Sequence, residues 1–207
     1  MEPLPMFPLG GVLLPGGVLP LRVFEPRYRA LVRHCLANEK PEFGVVLIER
    51  GNEVGGGDMR HSVGTAALIA HAEPDLRGHL YLITLGMRRI RVRSWLSEDP
   101  FPLADIEDWP EYPGEAGAVA AMVAELTPRV RRAAALSVEL GDRTGGREQE
   151  IVDDPVIASY NLVELAPLGP ADSYDLLCAS GPLERLELLA AKLGDIEAVL
   201  EFRLHAG

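Results

Sequence analysis

Apolar and polar positions follow two different rhythms along the chain, and the change of rhythm divides it. In the first part the apolar positions come in short runs, at 6–7, 12–14, 18–24, 43–49, 63–72, 79–85, 88–96 and 101–106. Runs of this length, rich in Val, Ile, Leu and aromatic residues and bounded by Gly, Pro or Asp, predict strands. The clearest is 88–96, where Ile90 and Val92 point to one face and Arg89, Arg91 and Arg93 to the other, as in a strand with one buried and one wet face. Gly86-Met87 and the stretch 75–78 predict turns, and 51–57 (GNEVGGG) a loop. One helix interrupts the strands. Pro26 suits a first helical turn, where its missing N–H would be unpaired anyway, and Tyr28, Leu31, Val32, Cys35 and Leu36 then recur at helical spacing. About seven short strands with a single helix suggest a small closed or partly closed β-architecture.

The stretch Trp109-Pro110-Glu111-Tyr112-Pro113-Gly114 reads as a boundary, and the period after it is helical. Val119, Met122, Val123, Leu126, Val130 and Ala133 share a face of a helix over 116–140, with Pro128 placed to kink it. A polar, glycine-containing loop covers 141–153. Asp154-Pro155 reads as N-cap and first residue of a helix reaching Pro167. A short helix over 171–179 follows, and Ser180 is placed to cap a last one with Leu183, Leu186, Ala190 and Leu193 on its face. The expected fold is α+β, a β-rich unit of residues 1–112 followed by a helical bundle of residues 113–207. At 207 residues, 47% hydrophobic and 25% charged, the chain is long enough to bury a substantial core.

Charge and chemistry narrow the function. A formal net charge of −11 argues against broad binding to nucleic acid or anionic membrane, since phosphate contacts need clustered cations. No cationic leader precedes an apolar core and no apolar run approaches the roughly 18 residues of a spanning helix, so a soluble, cytoplasmic protein is expected. Cys35 and Cys178 lie on apolar helical patterns and read as buried free thiols. The five histidines form no HExxH, no paired CxxC accompanies them, and no metal or other cofactor is expected. Ser180 lacks the surround of a nucleophile elbow, and neither Lys40 nor Lys192 ends a phosphate-binding loop. Gly10, Gly11, Gly16 and Gly17 are interrupted by prolines and make turns, not a phosphate cradle. The strongest charge feature is Arg88, Arg89, Arg91 and Arg93, which suits either phosphates and acidic peptides or a solvated strand face paired with Asp and Glu. The second reading is preferred in so acidic a chain. Arg27, Arg29 and Arg33 on the first helix carry the same ambiguity.

Several motifs together resemble a known family. Residues 5–9 (PMFPL), Leu14-Pro15, the stretch 20–28 (PLRVFEPRY), Phe43-Gly44-Val45-Val46, Val63-Gly64-Thr65-Ala66 and the stretch 86–92 (GMRRIRV) match in order and spacing the opening of the Lon substrate-binding (Lon amino-terminal) domain family. The resemblance runs from about Met6 to Ile106, with a helical tail after it. It implies a PUA-like pseudo-barrel followed by a helical bundle, without the ATPase or protease domains and hence not an enzyme. It further implies a protein- or peptide-recognition module whose partners are unfolded or tagged polypeptide substrates, or a AAA+ protease for which it acts as adaptor. A monomer or weak dimer is expected, without membrane contact. The candidate contacts are Arg22, Phe24, Glu25, Arg27 and Tyr28, with Arg89 and Arg91 as a second patch; Phe24 and Tyr28 fit the core equally well. Recognition would use an exposed strand edge and an apolar groove between the subdomains. The alternative is an RNA-binding module of the same fold using the arginine strand 88–93.

Overall fold

A computed structural model of the chain describes residues 3–50, 59–76, 79–142 and 150–206. The expected loop at 51–57, the end of the turn at 75–78 and the middle of the loop at 141–153 lie outside these residues. The chain divides into two compact units, Met1–Pro110 and Glu111–Gly207.

In the first unit the strands are β1 (Leu4–Leu9), β2 (Val18–Val23), β3 (Glu42–Arg50), β4 (Met59–Pro74), β5 (Leu80–Trp95) and β6 (Leu103–Asp108), with helix α1 (Pro26–Leu36) between β2 and β3. They form one sheet in the order β2-β5-β4-β3-β1-β6, and a further pairing of β5 with β6 closes five of them into a ring. The length of β5 makes the closure possible. Its first half pairs with β2 and its second half with β6, while β4 follows it along both. β2 is left outside the ring, paired among the described residues with β5 alone. Two apolar clusters take alternate residues of the strands and so lie on opposite faces of the sheet, Met6, Val46 and Ala66 in one and Phe7, Val45 and Ala67 in the other, the latter with Tyr28, Leu31, Val32 and Cys35 of α1. Leu36, expected on that face of α1, is exposed at the helix end.

Two departures from expectation share a cause. The run 12–14 is not a strand, although Leu13 and Leu14 are buried. Its carbonyls are taken by local partners: Leu13 O accepts from Thr65 Oγ1 at 2.6 Å and Leu14 O from the Gly17 N–H at 2.9 Å. The same segment lies against Gly86, whose carbonyl accepts from Gly16 N–H (2.8 Å) and whose N–H donates to Gly17 O (2.9 Å). Gly86 is therefore not in a turn. It sits inside β5 because a Cβ there would come within 2.1 Å of Leu14 O, the close backbone approach that only glycine permits. The two strands expected on either side of it are one strand, with a register shift at this point.

A third departure concerns Arg89, expected on the wet face and only 3% exposed. The chain leaving β6 covers it. Trp109 N–H donates to Arg89 O at 3.0 Å, and the indole centroid lies 4.3 Å from the guanidinium carbons of both Arg89 and Arg91. The alternation of β5 holds, but part of its polar face is roofed by an aromatic ring on which guanidinium groups stack well.

The second unit holds α2 (Ala116–Glu139), α3 (Pro155–Leu165), α4 (Pro170–Leu177) and α5 (Pro182–Ala206). Asp154 caps α3 as its spacing predicts, accepting from Ile157 N–H at 2.9 Å. Pro128 lies inside α2 without ending it. Ser180 is not the cap expected of it: it stands two residues before α5, and its hydroxyl and N–H both donate to Glu184. α5 buries Leu186, Leu189, Leu193 and Leu200 and, beside them, the whole of Arg185.

The candidate binding site at an open seam

The edge of β2 can be read bond by bond. Gly86 N–H donates to Gly17 O, and the register continues through Leu19↔Thr84, Leu21↔Leu82 and Val23↔Leu80. In an antiparallel pair, bonded and non-bonded positions alternate. The backbone groups of Leu19, Leu21 and Val23 therefore face β5, and those of Val18, Pro20 and Arg22 face outward. The Thr84 hydroxyl, which donates to Leu19 O at 2.9 Å, agrees with this alternation. Pro20 occupies an outward position, where its missing N–H removes no ladder bond.

The other side of the opening is β1. It pairs with β6 only at Leu4 and Pro5, and Met6 N–H still reaches Pro102 O at 2.8 Å. Beyond that, this side of β1 has no strand partner among the described residues, and Pro8 offers no donor there. Prolines thus blunt both lips, a common protection of sheet edges against indiscriminate pairing. Arg22 and Val18 keep outward N–H groups.

A pocket of about 220 Å³ takes residues from both lips. Its floor is apolar: Leu9, and Phe7 stacked on Tyr28 with centroids 4.0 Å apart and planes within 12°. Residues 20–23 form one wall, and Arg22, Phe24 and Glu25 stand at its mouth. Phe24 is 49% exposed, with its ring edge-on to His79 at 6.5 Å. The mouth carries three charges. Glu25 is paired with Arg27 Nε at 3.1 Å, and Arg27 also lies 4.4 Å from the Tyr28 ring centroid. Arg22 sits beside aromatic rings instead, 5.7 Å from the Tyr81 centroid and, through Nη2, 3.3 Å from His79 Nδ1. That same Nδ1 is 2.8 Å from Asp75 Oδ2, and Asp75 Oδ1 accepts from the His79 N–H. One ring nitrogen cannot donate to Asp75 and accept from Arg22 together. The nearer carboxylate holds the Nδ1–H, and Arg22 has no carboxylate partner among the described residues.

Of the candidate contacts, Arg22, Phe24, Glu25 and Tyr28 meet at this pocket, and Arg27 adjoins it through Glu25 and Tyr28. Arg89 and Arg91 do not line it; they hold Trp109. Phe7, Leu9, Pro20, Leu21 and Val23 also line it and are not among those candidates. The signal for Pro20 was its place in a strand-like run, which marks an edge. The remaining arginines of β5 are engaged. Arg88 pairs with Glu42 (2.9 Å) and Asp108 (2.8 Å), and although burial pulls its guanidinium down, these bonds leave it above its ordinary value. Arg93 pairs with Glu107.

No other chemistry stands out. Burial pushes the Cys35 thiol up to about 12, although a hydrogen bond from its own backbone pulls the other way, so it is a poor nucleophile. Among the described residues no group of three or more His, Cys, Asp and Glu could hold a metal ion, and no helix is long and apolar enough to cross a membrane.

Known proteins share this architecture. The family model for the substrate-binding domain of ATP-dependent protease La (LON) matches residues 3–193. Lon protease 2 of Sorangium cellulosum (strain So ce56) is 28% identical over 201 residues, 93% of this chain and 24% of that protein. Lon protease of Anaeromyxobacter dehalogenans (strain 2CP-C) is 34% identical over 107 residues, 50% of this chain and 12% of that protein. The chain therefore spans a quarter or less of these relatives. The solved Lon N-terminal domain protein from Xanthomonas campestris superposes with a TM-score of 0.65 at 28% identity, covering 92% of this chain and 98% of that one. The N-terminal domain of Mycobacterium avium complex Lon protease gives 0.64 at 21% identity over 94% and 99%, a likeness of fold. With the family match running over nearly its whole length, this chain belongs to the substrate-binding domain family of ATP-dependent protease La (LON).

Proposed function

We propose that this chain is a non-catalytic polypeptide-recognition module that captures extended segments of unfolded or tagged proteins at the seam between β1 and β2, and that it presents them to an ATP-dependent protease. The observation that carries the reading is the coincidence of an unpaired strand edge with an apolar pocket. An extended segment added to such an edge gains main-chain hydrogen bonds, and a neighbouring pocket selects one of its side chains. Burying one large apolar side chain contributes about 1.5–3 kcal/mol, enough for weak, reversible capture of many sequences. A folded client seldom offers a free stretch of extended backbone with an apolar side chain beside it. Family membership supports the reading, and relatives that are Lon proteases lend support to delivery to a protease.

An RNA-binding role for the arginine strand has less support. Arg88 and Arg93 are ion-paired and Arg89 and Arg91 lie on Trp109, so phosphates would have to displace existing partners. The test is a titration of the protein with a permanently unfolded, reduced and carboxymethylated polypeptide. Phe24→Ser, at an exposed position, is expected to weaken binding about tenfold, the loss of roughly 1.4 kcal/mol at an interface anchor. Equal affinity for wild type and variant removes the seam as the capture site.

A further inference from the structure

We propose that the seam prefers a particular client: an extended segment whose apolar anchor has an Asp or Glu within about two positions of it, the carboxylate being taken by Arg22. This inference rests on the reading of the seam as a polypeptide site and goes on to its selectivity.

The argument starts from how this acidic chain disposes of its arginines. With a net charge of −11 it has carboxylates to spare, and Arg60, Arg88, Arg93, Arg129, Arg185 and Arg203 each hold at least one at 2.9 Å or less. Arg22, at the mouth of an apolar pocket, holds none among the described residues. The two carboxylates nearest in the bonding pattern are already answered, Glu25 by Arg27 and Asp75 by His79. The mouth therefore presents one unanswered positive charge. Among the described residues its guanidinium meets the ring of Tyr81 and a ring nitrogen that is itself engaged with Asp75.

Position adds to charge. Of the two β2 residues that keep an outward N–H, Val18 and Arg22, Arg22 is the one that lines the pocket, and Pro20 and Pro8 remove the donors beside it on either lip. A guest strand then finds its donor–acceptor pair in the seam at Arg22, and its side chains on that face lie within reach of the Arg22 side chain. A guest carboxylate would meet a fork of donors suited to bidentate pairing. A guest lysine at the same place would meet a like charge.

The experiment measures the affinity of the intact protein for three synthetic extended peptides with one central Phe, flanked by Glu, Gln or Lys, at low and moderate salt. The expected order is Glu, then Gln, then Lys, with about fivefold between the ends, narrowing as salt rises. Arg22→Gln is expected to bring the Glu-to-Lys ratio to about one, and Arg22→Glu to invert it. Binding of all three peptides with equal affinity to the wild type overturns the selectivity and leaves the recognition reading standing. Binding of none of them overturns both. Displacement of the peptides by a single-stranded oligouridylate from wild type but not from Arg22→Gln also overturns it, because the charge would then serve a nucleic acid.

Discussion

Two arginines, one in each unit, show how the same side chain can hold a fold together or remain available. In the helical unit Arg185 is wholly buried, and its three nitrogens donate to Leu176 O (3.0 Å), Ser159 Oγ (2.8 Å) and Glu111 Oε2 (2.9 Å). Its guanidinium lies 3.6 Å from the Tyr160 ring centroid, and the Tyr160 hydroxyl donates to Glu111 in turn. Such a charge is tolerable in the interior only because its partners replace water. In the β unit Arg22 is exposed and has no carboxylate partner among the described residues, at a place where the backbone also faces outward. A completed network specifies one structure; an incomplete one leaves room for a partner.

The sharpest way to break the comparison is to remove Arg185. Arg185→Met should destabilise the helical unit by about 3–5 kcal/mol, because the largely buried Glu111 carboxylate loses its cation. Adding Glu111→Leu should recover much of that loss, as read by thermal unfolding of the single and double variants. If the single variant unfolds like wild type, the network has no structural weight. A smaller loss, about 2 kcal/mol by denaturant unfolding, is expected for Gly86→Ala, since a Cβ would press on Leu14 O and part the 10–17 segment from β5. A tolerated alanine would contradict the close approach of Leu14 O as the reason for glycine at this position.

Cys35 offers a pH-dependent check on the β-unit core. Its folded thiol is held above the ordinary 9.0, at about 12, so the fold disfavours the thiolate. The stabilisation is complete below pH 9 and is lost as pH rises from there towards 12. Cys35→Ala should flatten that alkaline slope, and Cys35 should resist alkylation by iodoacetamide under native conditions. The smallest effect belongs to the surface. The hydrogen bond from Arg129 holds the Glu197 carboxyl below its ordinary 4.5, so its contribution is present above that pH and fades as pH falls below it. Arg129→Gln should cost about 0.5 kcal/mol or less at neutral pH and slightly reduce the acid dependence of unfolding.

Periodicity made much of this structure legible beforehand. Most of the strand runs, though not 12–14, the α1 face through Tyr28 to Cys35, and the Asp154-Pro155 helix start stand where local pattern puts them. What escaped depends on contacts distant in sequence. Gly86 has two meanings in a strand-like run, turn or close approach, and only the arrival of Leu14 from far along the chain decides between them. Arg89 alternates as a wet residue until Trp109 covers it. Arg185 sits beside Leu186 on a helix whose apolar spacing gives no hint that a full charge is buried there. At the seam, residues 22–28 were identifiable from one contiguous stretch. Phe7 and Leu9 were not, because the β1 lip is fixed by the way the ring closes.

The most direct test of the seam is amide hydrogen exchange, residue by residue, with and without a saturating unfolded polypeptide. Free, the outward N–H groups of Val18 and Arg22 should exchange fast and those of Leu19, Leu21 and Val23 slowly. On binding, Arg22 should gain protection, and Val18 with it if the guest strand runs that far, while the inward amides change little. Binding that leaves the Arg22 amide exchanging as fast as before would contradict strand addition at β2.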